Sequence, residues 1–163
     1  MIILGIDPGL NATGYGLVIS QGNQLQVLTY GAITTHKNQL IAERLRIIFE
    51  AIQQLIGQHQ PDVLAIEDIF YHENVRTAIV MGQARGVCML AAQLANLPIF
   101  EYAPREIKMS VTGHGGASKQ QIQAMVQRLL HLEKPPRPLD ASDALAVAIC
   151  HHHRARFQAK QRR

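Results

Sequence analysis

Ile2, Ile3, Leu4 and Ile6 make a short apolar run that stops at Asp7-Pro8-Gly9, the pattern of a buried strand ending in a turn. Residues 13–20 and 24–34 are two further strand-like runs, rich in Val, Ile, Leu, Thr and Tyr. Gln21-Gly22-Asn23 joins them at hairpin length. These three runs predict an antiparallel meander. From 38 to 58 the period changes, with Ile41, Leu45, Ile48, Ile52, Leu55 and Ile56 recurring at three- and four-residue steps. That is one face of an amphipathic helix, closed by Gly57 and Pro61. Residues 63–66 form a second continuous apolar run, ended by Glu67. A strand, a helix and another strand in this order imply parallel pairing, with helices covering the sheet.

Residues 76–96 predict a helix that carries Gly82 and Gly86, whose small size permits close approach of another backbone. A short strand follows at 98–102, and Pro104 suits the first turn of a short helix. A glycine-rich loop spans 113–117. Ser118 and Gln121 then have capping-box spacing at the start of a helix reaching about residue 131. Pro135-Pro136-Arg137-Pro138 is a stiff connector, and Asp140 opens a last helix rich in alanine. The class is α/β, with a mixed sheet whose leading strands are antiparallel. Without repeats or an internal boundary, one domain is expected over 1–156. A basic tail at 157–163 is expected to be flexible.

Composition fits a folded domain, at 47% hydrophobic and 17% charged residues over 163 positions. No uninterrupted apolar run reaches the length of a transmembrane helix. The first residues lack a basic leader and meet a carboxylate at Asp7, so a cytoplasmic protein without a signal peptide is expected. Cys88 and Cys150 lie in apolar helical stretches without metal-ligand spacing and read as buried packing thiols. The net charge of +4 is concentrated at one end: Arg154, Arg156, Lys160, Arg162 and Arg163 follow position 150 without an acid among them. Such an end can hold nucleic acid through counterion release, or serve only to keep the chain soluble.

The acids carry the chemistry. Asp7 and Glu67 each close an apolar run, and parallel neighbouring strands would bring those ends together, at the edge where open α/β sheets bind ligands. Asp140 and Asp143 are three apart at the start of the last helix and can face one direction. With that helix packed at the sheet end, four carboxylates converge into a mutually repulsive cluster that two divalent cations would neutralise. Oxygen-only donors favour Mg²⁺ or Mn²⁺ over zinc, and paired metals suit in-line displacement at phosphorus. Plainer uses exist for each residue: Asp7 as a turn former, Glu67 as a solvated strand end, Asp140 as an N-cap and Asp143 as a first-turn acid.

Gly5-Ile6-Asp7-Pro8-Gly9, followed by Thr13-Gly14-Tyr15-Gly16, resembles the opening of the RuvC Holliday-junction resolvases. So do Ala65-Ile66-Glu67, then Gly82-Gln83-Ala84-Arg85-Gly86, then Asp140-Ala141-Ser142-Asp143-Ala144-Leu145-Ala146. The matches run in the family's order to about residue 153. The resemblance implies a ribonuclease H-like fold with a mixed five-stranded sheet flanked by helices. It implies a homodimer that cuts four-way DNA junctions by metal-dependent hydrolysis, with paired symmetric nicks, in recombination and DNA repair. Asp7, Glu67, Asp140 and Asp143 become the catalytic, metal-binding carboxylates, with two Mg²⁺ per site and Mn²⁺ as a substitute. The RuvA–RuvB branch-migration complex becomes a partner. Asp68 departs from the uncharged polar residue expected of many relatives, and strand alternation should turn it away from Glu67. His151-His152-His153 falls at the family's helical end and is expected to be solvated or close to a dimer contact.

A site of four acids repels phosphate, so cations must surround it; Arg76, Arg105, Lys108 and Lys119 are the candidates for DNA binding. Lys119 opens a helix after the glycine-rich loop, where backbone amides also favour an anion, and Lys108 and Lys119 match positions the family uses near the cleaved strand. Phe70 and Tyr71 follow the strand of Glu67, and aromatics there either stack on unpaired bases or anchor the loop; the family places such an aromatic at Phe70. The glycines at 82 and 86 suit a dimer surface or packing on the chain's own sheet. Rival functions are a phosphotransferase of the actin-like class, which needs a second lobe, a non-catalytic junction-binding module, and another nuclease of the same fold.

Overall fold

The computed structural model describes residues 1–68 and 75–161. Phe70, Tyr71, Arg162 and Arg163 lie outside the described residues. The elements are β1 (Ile2–Asp7), β2 (Ala12–Gln21), β3 (Gln24–Thr34), α1 (Ile41–His59), β4 (Val63–Glu67), α2 (Val75–Leu94), β5 (Ile99–Tyr102), α3 (Pro104–Thr112), α4 (Lys119–Leu129) and α5 (Leu139–Gln161). The five strands form one sheet in the order β3-β2-β1-β4-β5. β1 pairs antiparallel with β2 and parallel with β4, so the meander and the crossover meet on the central strand.

Alternation along the strands sorts the core into two layers. Leu4 and Ile6 of β1 and Leu64 and Ile66 of β4 pack against Ile48, Ile52 and Ile56 of α1 and Ala84, Cys88 and Ala91 of α2. Ile3, Val63 and Ala65 turn the other way, onto α5, α3 and α4. Residues 7 and 67 continue this second register, toward α5. The face they join is unusually close to its helix: a Cβ on Gly5 would collide with the carbonyl oxygen of Ala144, and one on Gly14 with that of Asp140. The two glycines let the start of α5 lie directly on β1 and β2.

α4 starts as its sequence predicts. The Gln121 amide donates to Ser118 Oγ at 3.2 Å, and the Ser118 amide donates to Gln121 Oε1 at 2.8 Å. Both cysteines are buried and unpaired. α5 begins one residue before Asp140, which therefore sits in its first turn instead of capping it. The helix also runs through Gln161, so residues 157–161 extend it where a separate tail is expected.

The solvated reading of the histidines is corrected: His151 and His152 are buried and His153 half-buried. Each hydrogen-bonds a different element, His151 Nδ1 to the Tyr102 hydroxyl at 2.7 Å, His152 Nδ1 to Ser20 Oγ at 2.7 Å and His153 Nδ1 to Ser110 Oγ at 3.0 Å. The middle of α5, at residues 151–153, is wedged between β2, β5 and α3, which leaves these rings facing protein instead of solvent. Among the described residues no helix is long and apolar enough to cross a membrane.

Candidate active site

Ile6 lies opposite Ile66 in the parallel ladder, so the next residues, Asp7 and Glu67, end their strands side by side. Their carboxyl groups share a hydrogen bond. Asp140 and Asp143, on the first turns of α5, complete a set of four acids that lines one cleft of about 910 Å³. The four come from three separate stretches of chain, brought together by strand register and by the glycine-lined seat of α5.

The electrostatics follow from crowding. Burial, then the neighbouring Glu67 charge, the hydrogen bond to Glu67, and the charges of Asp143 and Asp140 push Asp7 up to about 9. Burial also raises Glu67, with the hydrogen bond to Asp7 and the charges of Lys119 and Lys108 acting against it. Asp143 is raised by burial and opposed by Lys119. Lys119 Nζ stands 3.2 Å from Asp143 Oδ2, and that carboxylate holds the ammonium above its usual range.

Among the described residues no three Asp, Glu, His or Cys side chains are drawn to one point tightly enough to hold an ion. The Asp7–Glu67 hydrogen bond and the Lys119–Asp143 ion pair are the arrangements carboxylates adopt when a proton and an ammonium supply the positive charge. The donor set nonetheless fits a hard divalent cation, since every donor is oxygen and Asp7 keeps its proton at neutral pH until another positive charge replaces it.

Of the expected DNA contacts, Arg76, Lys108 and Lys119 line the cleft. Arg105 is exposed, lies over Gly115 and is not among the residues lining that cleft. Phe70 is outside the described residues. Asp68 is turned from the acids by alternation and pairs with Arg85 at 3.3 Å. Arg85 also pairs with Glu101 and donates from Nε to the Glu67 carbonyl at 3.3 Å, tying the ends of β4 and β5 to α2. Two cleft cations escape the sequence reading, Lys37 and Arg44. Arg44 had a visible signal: it stands on the same four-residue stripe as Ile48, Ile52 and Ile56, a charge at a position that should be buried.

A mixed sheet in this order, with acids at adjoining strand ends and on the helix laid across them, defines a nuclease of the ribonuclease H-like fold. The family model described as "Crossover junction endodeoxyribonuclease RuvC" matches residues 3–151. The chain belongs to that family, whose members are metal-dependent nucleases. It is 51% identical over 157 residues to the crossover junction endodeoxyribonuclease RuvC of Alkaliphilus oremlandii, covering 96% of each chain. The Heliobacterium modesticaldum protein of the same description is 50% identical over 153 residues, 94% of each. Thermus thermophilus RuvC, solved in complex with a Holliday junction substrate, superposes with a TM-score of 0.91 at 31% identity, over 97% of this chain and 96% of that one. The yeast mitochondrial resolvase Ydc2 shares the fold, with a TM-score of 0.64 at 11% identity.

Proposed function

We propose that this protein resolves four-way DNA junctions by cutting two strands symmetrically, with Asp7, Glu67, Asp140 and Asp143 holding two Mg²⁺ ions. The observation that carries the reading is the convergence of these four acids on one cleft whose rim is basic. When bound, the ions supply Lewis-acid chemistry that lowers the pKa of a water and offsets charge on the departing oxygen; Mn²⁺ has the same ligand preference. Water adds to phosphorus and the bond to the 3′ oxygen breaks, leaving a 5′-phosphate and a 3′-hydroxyl. Asp7 must give up its proton before it can act as a ligand, which ties activity to pH. Lys119, paired with Asp143 in the cleft, would be available to attract the phosphate were that carboxylate to hold metal. Lys108 and Arg76 line the same cleft and offset its repulsion of the backbone.

A pair of symmetric cuts calls for two sites related by a two-fold axis. α2 offers the surface for it. Ile79, Gly82, Gly86, Leu90 and Leu94 are all exposed along one stripe, while Ala84, Cys88 and Ala91 face the core. A Cβ on Gly86 would meet nothing within 4 Å, so the glycine is not there for packing on its own sheet. A second copy laid on this stripe would bury the apolar groups and find room at the glycines. The RuvA–RuvB branch-migration complex is the partner that kinship suggests.

The deciding experiment presents a synthetic four-way junction and a linear duplex of the same sequence, with Mg²⁺ and with EDTA. Paired nicks in the junction only, and only with metal, are expected. Equal cutting of the linear duplex would refute the assignment.

A further inference from the structure

Among the described residues, Arg44 is a buried cation without an acidic partner. It is 7% exposed, yet lines the catalytic cleft. Its Nε donates to Thr35 Oγ1 at 2.8 Å and its Nη2 to Asn11 Oδ1 at 2.6 Å, both neutral acceptors. Among the described residues the acidic partners of ion pairs are Glu50, Asp68, Glu101, Asp143 and Glu106, and none of them serves Arg44. Glu43, the nearest acid in sequence, accepts from the Leu40 amide at 3.0 Å. A guanidinium carries five N–H donors in a rigid fork, so two internal bonds leave donors for a ligand.

The support is built from neutral groups. Thr35 Oγ1 donates to the Leu10 carbonyl at 2.5 Å, and the Thr35 amide donates to the Asn11 carbonyl at 3.1 Å. Thr13 Oγ1 donates to the Gly9 carbonyl at 2.7 Å. These bonds fix the loop that leads from Asp7 to Asn11, and with it the distance from the acids to the guanidinium. A charge in such a place is costly unless it is paired, and its attraction for an anion is correspondingly less screened by water. Lys37, exposed on the same cleft, adds a second positive charge. The planar fork matches a phosphate.

We infer that Arg44, oriented by Thr35 and Asn11 and assisted by Lys37, is the seat of a non-scissile phosphate of the DNA, holding the bound strand in register with the acids. The inference rests on the proposed junction-cleaving function. It assigns a role to the cleft cations at the start of α1 and just before it.

The test measures junction binding in EDTA, where nothing is cut, as a function of NaCl concentration. The junctions carry single neutral methylphosphonates scanned along each strand. Arg44→Gln should weaken binding roughly tenfold at moderate salt and lower the slope of log affinity against log salt by about 1. Arg44→Lys should keep the slope. One non-scissile methylphosphonate that costs the wild type about tenfold should cost Arg44→Lys threefold or less, because the fork is lost. A merely structural arginine would lower the melting temperature in both variants and leave slope and scan profile as in the wild type, which overturns the assignment. Should Arg44→Gln fail to fold, the Arg44→Lys scan decides alone. A wild type that does not prefer the junction in EDTA and does not nick it when Mg²⁺ is added would instead sink the functional reading itself.

Discussion

Asp7 and Glu67 end adjoining parallel strands one step past the Ile6–Ile66 pair, and their carboxyl groups share a hydrogen bond. Such a bond needs a proton, and burial raises both Asp7 and Glu67, so the pair holds one between them. Metal must displace it, so binding of Mg²⁺ at pH 7 should release about one proton per protein molecule. Calorimetry in buffers of different ionisation enthalpy reads that number directly. Release of none would mean that Asp7 is already ionised, and the crowding argument would be wrong.

The same proton makes Asp7 a source of instability. In the unfolded chain the carboxyl ionises near 3.8, whereas in the metal-free fold it holds its proton to about 9. The favourable contribution is therefore complete below pH 3.8 and lost as pH rises through about 9. Asp7→Asn should abolish cleavage, by about 10³-fold or more, while leaving junction binding within a few-fold of wild type. It should also raise the metal-free melting temperature at pH 8 by roughly 3–6 °C. Near-wild-type cutting, or a lowered melting temperature, would contradict the role assigned to this carboxylate.

Lys119 has two jobs that one substitution separates from plain charge attraction. Its ammonium holds Asp143 down against the burial that raises it. Lys119→Met should therefore weaken junction binding about tenfold and also move the rising limb of the cleavage pH profile to more alkaline values. A variant with weaker binding and an unmoved profile would leave Lys119 as a phosphate contact only.

The pairing of Asp7 with Glu67 was legible because a strand has a period of two and its ends are marked by charge. The capping box at Ser118 was legible because it is local. The burial of Arg44 left a trace in its place on the Ile48–Ile52–Ile56 stripe, but its partners were not legible, because Asn11 and Thr35 come from the β1–β2 loop and the residue after β3, and only the folded chain brings them to α1. The histidines failed for a related reason. α5 is packed on several sides, so its inward positions show no single apolar stripe, and nothing in its sequence separates a buried imidazole from a solvated one. Phe70 stays an expectation from kinship.

The outer stripe of α2 gives a prediction about assembly. Ile79 is 58% exposed and Leu90 51%, apolar surface that a lone copy would leave in water. Ile79→Asp should convert a dimer to a monomer without lowering the melting temperature by more than a few degrees, as read by sedimentation. Paired nicking of a junction should fall much more than single nicking. A variant that still sediments as a dimer would move the contact elsewhere.

The buried histidines set the acid limit of the fold. Burial, with the Arg154 charge adding to it, lowers His151 to about 4. His152 is likewise lowered to about 4, by burial and then by His153, Arg156 and His151. Burial also pushes the Tyr102 hydroxyl up to about 12, so it stays protonated beside His151 Nδ1, 2.7 Å away. Since the unfolded imidazole titrates near 6.5, these contacts stabilise the protein fully above that pH, and the contribution is lost as pH falls through about 4. Asp7 acts in the opposite direction over the same range, so the comparison must hold it fixed. In an Asp7→Asn background, the melting temperature should fall by at least roughly 5 °C between pH 7 and pH 4.5. His151→Gln retains a hydrogen-bonding partner for Tyr102 without the titration, and with His152→Gln it should remove most of that drop. An unchanged acid transition in the double variant would show that other groups set it.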